Sequence, residues 1–288
     1  MNLGAHMSIA GGLAQALHRG RAAGCSIVQL FLKNQVQWAA KPLAEDEIAE
    51  FKHAQAETGI RTAFAHASYL INLCSPAEAE WKRSVEALVD ELERAEALGL
   101  PFVIVHPGSH KGEGLKSGLT RSGRALRELE RRTRGYRVRL LLENTAGAGN
   151  TVGSRFEELR AILDRASGPE RFGVCLDTCH LFAAGYDIRT NAGYEETVQA
   201  LDREIGVARV SAWHVNDAKK GLGSGLDRHE HIGKGEIGLE AFRALLNDPR
   251  FAACPMSLET PKDGDWDQKN LATLRGLRRS RRPRRFRK

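Results

Sequence analysis

Nine side chains of types that bind divalent metals stand out in this chain, and most fall where a short apolar run stops. His66 closes the run Thr62–His66, His106 closes Phe102–His106, and Glu143 closes Arg139–Glu143. Asp177 closes Phe172–Asp177 with His180 three residues on, His214 closes Val210–His214, and Glu259 closes Met256–Glu259. Asp227 and His229 stand in the long segment 217–237, rich in glycine and charge. A single histidine at such a place is ordinarily a hydrogen-bonded structural residue, and a single carboxylate is often an N-cap or ion-pair partner. Nine at the same end of one set of elements are another matter. Carboxylates and imidazoles gathered away from water are costly without cations to pair with. Imidazole mixed with carboxylate favours Zn2+, with Mn2+ or Fe2+ behind it. Three tetrahedral ions need about twelve ligand positions. The side chains supply about ten of these if one carboxylate bridges, and a hydroxide shared by two ions supplies the rest. Three dications against four carboxylates and one hydroxide leave about +1, a pocket suited to an anionic ester.

These residues meet only if the apolar runs are parallel strands of one sheet. The chain has 288 residues, 42% hydrophobic, 27% charged and 6% aromatic, which excludes a disordered or collagen-like protein. With Leu3–His6 and Ile27–Phe31 the strand-like runs number eight. Helical stretches alternate with them at 10–23, 44–58, 77–99, 118–134, 154–165, 193–206 and 238–247. In one of these Val85, Leu88, Leu92 and Ala95 recur at three- and four-residue steps, giving one buried face. Ser75-Pro76 opens that helix, and Gly24, Gly59 and Gly99 close theirs. The pattern predicts an α/β protein of the (β/α)8 TIM barrel type, in which all strand C-termini open onto one face. A doubly wound open sheet competes, but no glycine-rich dinucleotide turn follows the first strand. No linker or internal repeat divides the chain, so a single domain over 1–274 is expected.

The net charge of +7 is concentrated in one place. Residues 275–288 carry nine basic groups and no acid, leaving 34 basic against 36 acidic groups elsewhere. They are expected to form a disordered basic tail that adds non-specific phosphate contacts. No run is long enough for a membrane helix, and the N-terminus does not read as a signal peptide. The five scattered cysteines do not suggest a disulfide framework, and a cytoplasmic location is expected. Several further side chains stay open. Cys175 or Cys179 could ligate metal, although small buried thiols usually pack as hydrophobes. His231 could exchange roles with His229, and His6 could support the site without ligating. His18 and His53 fall in helical stretches and read as surface residues, and Lys219 and Lys220 as solvated or phosphate-binding.

Ten segments together resemble one family. They are Gly4-Ala5-His6-Met7-Ser8, Lys33-Asn34-Gln35, Ser68-Tyr69-Leu70-Ile71-Asn72-Leu73, His106-Pro107-Gly108-Ser109 and Glu143-Asn144-Thr145-Ala146-Gly147. Cys175-Leu176-Asp177-Thr178-Cys179-His180, Phe182-Ala183-Ala184-Gly185-Tyr186-Asp187, His214-Val215-Asn216-Asp217, Asp227-Arg228-His229 and Leu258-Glu259-Thr260-Pro261 complete the series. In order from about residue 3 to residue 261, they are similar to endonuclease IV, the zinc-dependent apurinic/apyrimidinic endonucleases. The resemblance implies a TIM barrel with three zinc ions. His66, His106 and Glu143 would hold the first. Glu143, Asp177, His214 and Glu259 would hold the second, with Glu143 bridging, and His180, Asp227 and His229 the third. It implies Glu143 and Glu259 as catalytic carboxylates, and a bridging hydroxide attacking the phosphorus 5′ to an abasic sugar. The products would be a 3′-hydroxyl and a 5′-deoxyribose phosphate. It also implies DNA contacts from Asn34, Gln37, Tyr69 and Leu70, the last two as wedges. Val36 departs from the pattern, since some relatives have Arg there, able to bind phosphate.

The expected partner is therefore duplex DNA with abasic sites, acted on by a monomer, at the nucleoid if the source is bacterial. Two readings compete. A metal-dependent sugar isomerase or epimerase of a related barrel type would need one or two ions and a small polar pocket. A non-catalytic nucleic-acid binder would use its metals only for stability.

Overall fold

Residues 2–278 are described by the structure, a computed structural model. Eight parallel strands close into a barrel: β1 (Leu3–His6), β2 (Ile27–Phe31), β3 (Thr62–His66), β4 (Phe102–Val105), β5 (Arg139–Glu143), β6 (Phe172–Asp177), β7 (Val210–His214) and β10 (Met256–Leu258). The remaining two, β8 (Asp217–Ala218) and β9 (His229–Glu230), form a short antiparallel ribbon after β7. The helices are α1 (Leu13–Ala22), α2 (Glu45–Thr58), α3 (Glu78–Leu98), α4 (Leu115–Arg132), α5 (Phe156–Leu163), α6 (Thr178–Ala183), α7 (Asn191–Glu204), α8 (Leu239–Asn247) and α9 (Trp266–Leu277). β1 pairs with both β2 and β10, so no barrel strand has a free edge.

Strand alternation divides the core in two. Outward-facing Val28, Leu30, Ala63, Ala65, Leu140 and Leu142 pack in the large cluster that includes the helices. Inward-facing Ile27, Phe64, Phe102, Ile104, Leu141, Cys175 and Ala212 form a separate plug inside the barrel. Two residues past plug members, on the same strands or just beyond them, come Gln29, His66, His106, Glu143, Asp177 and His214. With a side-chain period of two, these polar groups lie on the barrel axis directly above the plug.

The eight barrel strands begin where the sequence predicts, but two end one residue sooner. His106 and Glu259 lie just beyond β4 and β10, next to or near Pro107 and Pro261, which cannot donate to a ladder. The helix expected over 118–134 starts earlier, at Leu115, and the one over 193–206 at Asn191, where the Thr190 hydroxyl accepts from Gly193 N–H. No range is predicted from sequence for α6, β8, β9 or α9. Helix α9 buries Leu271, Leu274 and Leu277 and crosses the expected boundary at 274. Arg275, counted in the tail, donates to the Gly24 carbonyl. The last ten residues of that basic stretch, 279–288, lie outside the described residues.

Closure of the barrel depends on Gly4, because a Cβ there would overlap the Ile27 carbonyl oxygen across the β1–β2 ladder. Gly4→Ala is expected to destabilise the protein by about 3 kcal/mol or more. Urea denaturation measures this, and an unchanged midpoint would show that the two strands can part at no cost.

Candidate metal centre

All nine side chains singled out above come together at the C-terminal mouth of the barrel. Their ligand atoms form three groups, each within 4.8 Å: His66, His106 and Glu143; Glu143, Asp177, His214 and Glu259; and His180, Asp227 and His229. Glu143 is the hub and is fully buried. Its carboxylate lies 3.0 Å from His66 Nε2, 3.5 Å from His106 Nε2, 3.4 Å from His180 Nδ1 and 2.7 Å from His214 Nδ1. Asp177 has two uses. Its Oδ1 caps α6 by accepting from His180 N–H at 2.9 Å, while Oδ2 lies 3.6 Å from His229 Nε2 and 3.9 Å from His214 Nδ1. Asp227 is half exposed, with His180 Nε2 at 3.2 Å and His229 Nε2 at 3.1 Å.

The imidazoles are oriented from behind. His66 Nδ1 lies 2.7 Å from the Ala67 carbonyl, His180 Nδ1 2.9 Å from that of Asn144, and His229 Nδ1 3.0 Å from that of Glu259. A carbonyl only accepts, so each Nδ1 carries a hydrogen and leaves Nε2 for the site. His214 is reversed: Nε2 donates to Gln29 Oε1 at 2.7 Å, leaving Nδ1 for the site. The Gln29 amide also donates to Glu259 Oε1 at 2.6 Å and to His6 Nδ1 at 2.9 Å. Asn216 donates to Asp177 Oδ2 at 2.6 Å and accepts from Glu259 N–H at 2.7 Å. Gln29 and Asn216 were not given roles from sequence. A glutamine between Val28 and Leu30 is an unremarkable strand residue until its neighbours are known.

Two features test whether metal fits. Four imidazoles spend one nitrogen on an outward acceptor and aim the other into the cluster, as metal-bound histidines do. His229 Nε2 is buried without a hydrogen-bond partner, although Asp227 is near. The donors suit a divalent cation of the zinc type. Without a metal, the surrounding carboxylates favour the protonated form of His66, His180, His214 and His229. Burial alone would raise Glu143, but the charges of His214 and His106 and hydrogen bonds from His180 and His214 hold it well below the usual carboxylate range. Burial alone would lower His229, but the Asp177 charge and nearby Asp227 lift it to about 9. His106, where burial prevails, falls to about 4.

The open alternatives resolve on contacts. Cys179 shares a group with Asp177 and His229, but burial pushes its thiol up to about 12 and its Sγ faces the Arg228 carbonyl. All five cysteines are free. His231 stacks on Trp266 at 3.9 Å and pairs with Asn270, so it cannot exchange with His229. His6 reaches Glu259 through Gln29. His53 is exposed and His18 partly so, and Lys219 pairs with Glu230.

A cavity of about 510 Å³ opens beside the cluster, its lining including His66, Tyr69, Leu70, His106, His180 and Asp227. Tyr69 is 65% exposed at the rim and Leu70 partly so, while Val36, 77% exposed, lines a separate cavity with His6 and Asn34, and Gln37 next in the chain is also exposed. Asn34 Oδ1 accepts from Val36 N–H, which leaves its amide hydrogens for a ligand. A buried network links the two rim loops. Ser68 donates its hydroxyl to the Gln35 carbonyl and its N–H to Glu91, which shares Lys33 with Asp90.

A family model described as a xylose isomerase-like TIM barrel matches residues 17–282, which defines the class. Within it, the chain is 49% identical over 276 residues to a protein of Chloroflexus aurantiacus named probable endonuclease 4, covering 95% of this chain and 97% of that one. It is 46% identical to a protein of the same name from Geobacter sulfurreducens, covering 97% and 95%. The crystal structure of endonuclease IV from Thermus thermophilus superposes with a TM-score of 0.84 at 40% identity, covering 96% and 98%. The chain belongs to the endonuclease IV family. A D-tagatose 3-epimerase-like protein matches with a TM-score of 0.75 at 20% identity, a likeness of fold alone. No helix among the described residues is long and apolar enough to cross a membrane.

The raised His229 fixes a pH dependence. Its ordinary pKa is near 6.5, so its stabilisation of the metal-free protein is full below that pH and is lost as pH rises through about 9. The thermal midpoint of chelated protein is expected to fall between pH 6.5 and 9. Metal-loaded protein should not show this fall, because deprotonated imidazoles bind metal better. A midpoint that rises across this window after chelation would contradict the assignment.

Proposed function

We propose that this protein is a zinc-dependent apurinic/apyrimidinic endonuclease that hydrolyses the phosphodiester bond 5′ to abasic sites in duplex DNA. The products are a 3′-hydroxyl and a 5′-deoxyribose phosphate. The reading rests on one observation above all: three ligand groups joined through Glu143 at the barrel mouth, in a chain of this family. His66, His106 and Glu143 would hold one ion. Glu143, Asp177, His214 and Glu259 would hold a second, and His180, Asp227 and His229 a third. When bound, zinc in these groups supplies Lewis acidity, which acidifies water and offsets charge on a phosphate and on a departing alkoxide.

The chain itself does the holding and positioning. Glu143 keeps two groups at a fixed separation. Gln29 ties His214 to Glu259, and Asn216 ties Asp177 to Glu259, so these ligands cannot swing independently. At the rim, Tyr69 rests edge-on against Phe31 with Leu70 beside it, a rigid apolar wedge for a gap in the base stack. An abasic nucleotide leaves the helix at low cost because no base pair opposes it. Asn34 and Gln37 are polar contacts on the neighbouring loop. Val36 between them offers neither charge nor hydrogen bond. On this reading the enzyme acts as a monomer in the cytoplasm, at the nucleoid if its source is bacterial.

The test is a defined abasic oligonucleotide duplex. Zinc-loaded protein is expected to cut it on the 5′ side and to leave ketohexoses unchanged. Chelation, or Glu259→Ala, should slow cutting at least about 100-fold. Cutting that survives both, or turnover of free sugars instead, would overturn the proposal.

A further inference from the structure

One fully buried carboxylate at the barrel mouth belongs to none of the ligand groups. Asp217 opens β8, three residues after His214. Among the described residues no cationic side chain forms an ion pair with it. Four backbone N–H groups donate to it instead: Ala218 at 2.9 Å and Ile237 at 3.0 Å to Oδ1, Gly233 at 2.9 Å and Gly235 at 3.2 Å to Oδ2. The fit is tight. A Cβ at Gly235 would lie 2.6 Å from Asp217 Oδ1 and would overlap the Ala218 carbonyl.

These amides come from both ends of the segment 217–237, so one carboxylate closes the base of the loop that carries Asp227 and His229. The outgoing β8 places Ala218 opposite His229 in the ribbon. The loop tip rests on α6, where Gly223 and Gly225 donate to the Phe182 and Ala183 carbonyls at 3.0 Å and 2.9 Å. Helix α6 also carries His180. The other six candidate ligands stand at or next to the ends of barrel strands, held by the parallel ladder. Only the His180–Asp227–His229 group depends on a loop, and that loop depends on Asp217.

We infer that Asp217 is a positioning residue that closes the 217–237 loop and thereby sets the affinity of the ion held by His180, Asp227 and His229, separately from the other two. This rests on the zinc reading above and deepens it, because it makes one of three ions individually removable. Oδ1 and Oδ2 each accept two amides, and an amide nitrogen at either place would face two donors. Asp217→Asn therefore opens the nest with almost no change in volume, and Gly235→Ala disturbs it from the opposite side.

The experiment is metal analysis with chelator competition on full-length zinc-loaded protein, alongside circular dichroism. Wild-type protein is expected to hold three equivalents. Asp217→Asn and Gly235→Ala should keep native circular dichroism and two equivalents of unchanged affinity, with the third weakened at least about tenfold. Leu126→Ala, a cavity under α4, which packs on α3 and α5, should lower the melting temperature yet keep all three. If Asp217→Asn does not fold, Gly235→Ala carries the test. Three equivalents of wild-type affinity in the folded variants, or loss of all three together, would overturn the inference. Fewer than three equivalents in wild-type protein would instead overturn the zinc reading itself and the inference with it.

Discussion

A carboxylate sealed from water must be neutralised where it stands, and Glu143 is sealed completely while four imidazoles crowd within 3.5 Å of it. Asp177 and Glu259 share its group, so three like charges lie within a few ångströms. Removing them from water costs several kcal/mol each unless cations answer them. The carboxylates favour protonation of His66, His180 and His214, and divalent ions would answer the charge more compactly. The barrel makes this crowding unavoidable. Its inward positions alternate with a period of two, and six of them pass from an apolar plug residue to a polar one in a single step.

The supports around the cluster follow from the same constraint. Ligands that repel one another must be held by bonds that leave them no alternative orientation. The Ala67, Asn144 and Glu259 carbonyls fix three imidazoles, and Gln29 fixes the fourth in the reverse sense. The one group not built wholly on strands and a helix is assembled by a loop, and a second buried carboxylate, Asp217, holds that loop through amides alone. Further out, Lys33 and Glu91 join the loops that bear Tyr69 and Asn34. Side-chain contacts thus hold the candidate metal centre and also the exposed loops beside it.

Much of this was legible in the sequence because strand ends are punctuated by composition. His66, Glu143, Asp177 and His214 each terminate an apolar run, and a barrel turns that pattern into proximity. What was not legible depends on partners distant in the chain. Gln29 acquires its role only when β1, β7 and β10 bring His6, His214 and Glu259 around it. His231 and His229 are indistinguishable by spacing until the stack on Trp266 removes one of them. Helix α9 was hidden because its leucines run into arginines that read as a tail. The division of nine candidate ligands into three groups came from family likeness, since residue types alone do not say which would share an ion with which.

The most direct test of the cation requirement is anomalous X-ray scattering at the zinc edge from crystals of the metal-loaded protein. Three peaks are predicted, one inside each ligand group and about 2.0–2.2 Å from its nitrogen and oxygen atoms. An empty barrel mouth, or peaks confined to the protein surface, would contradict the account.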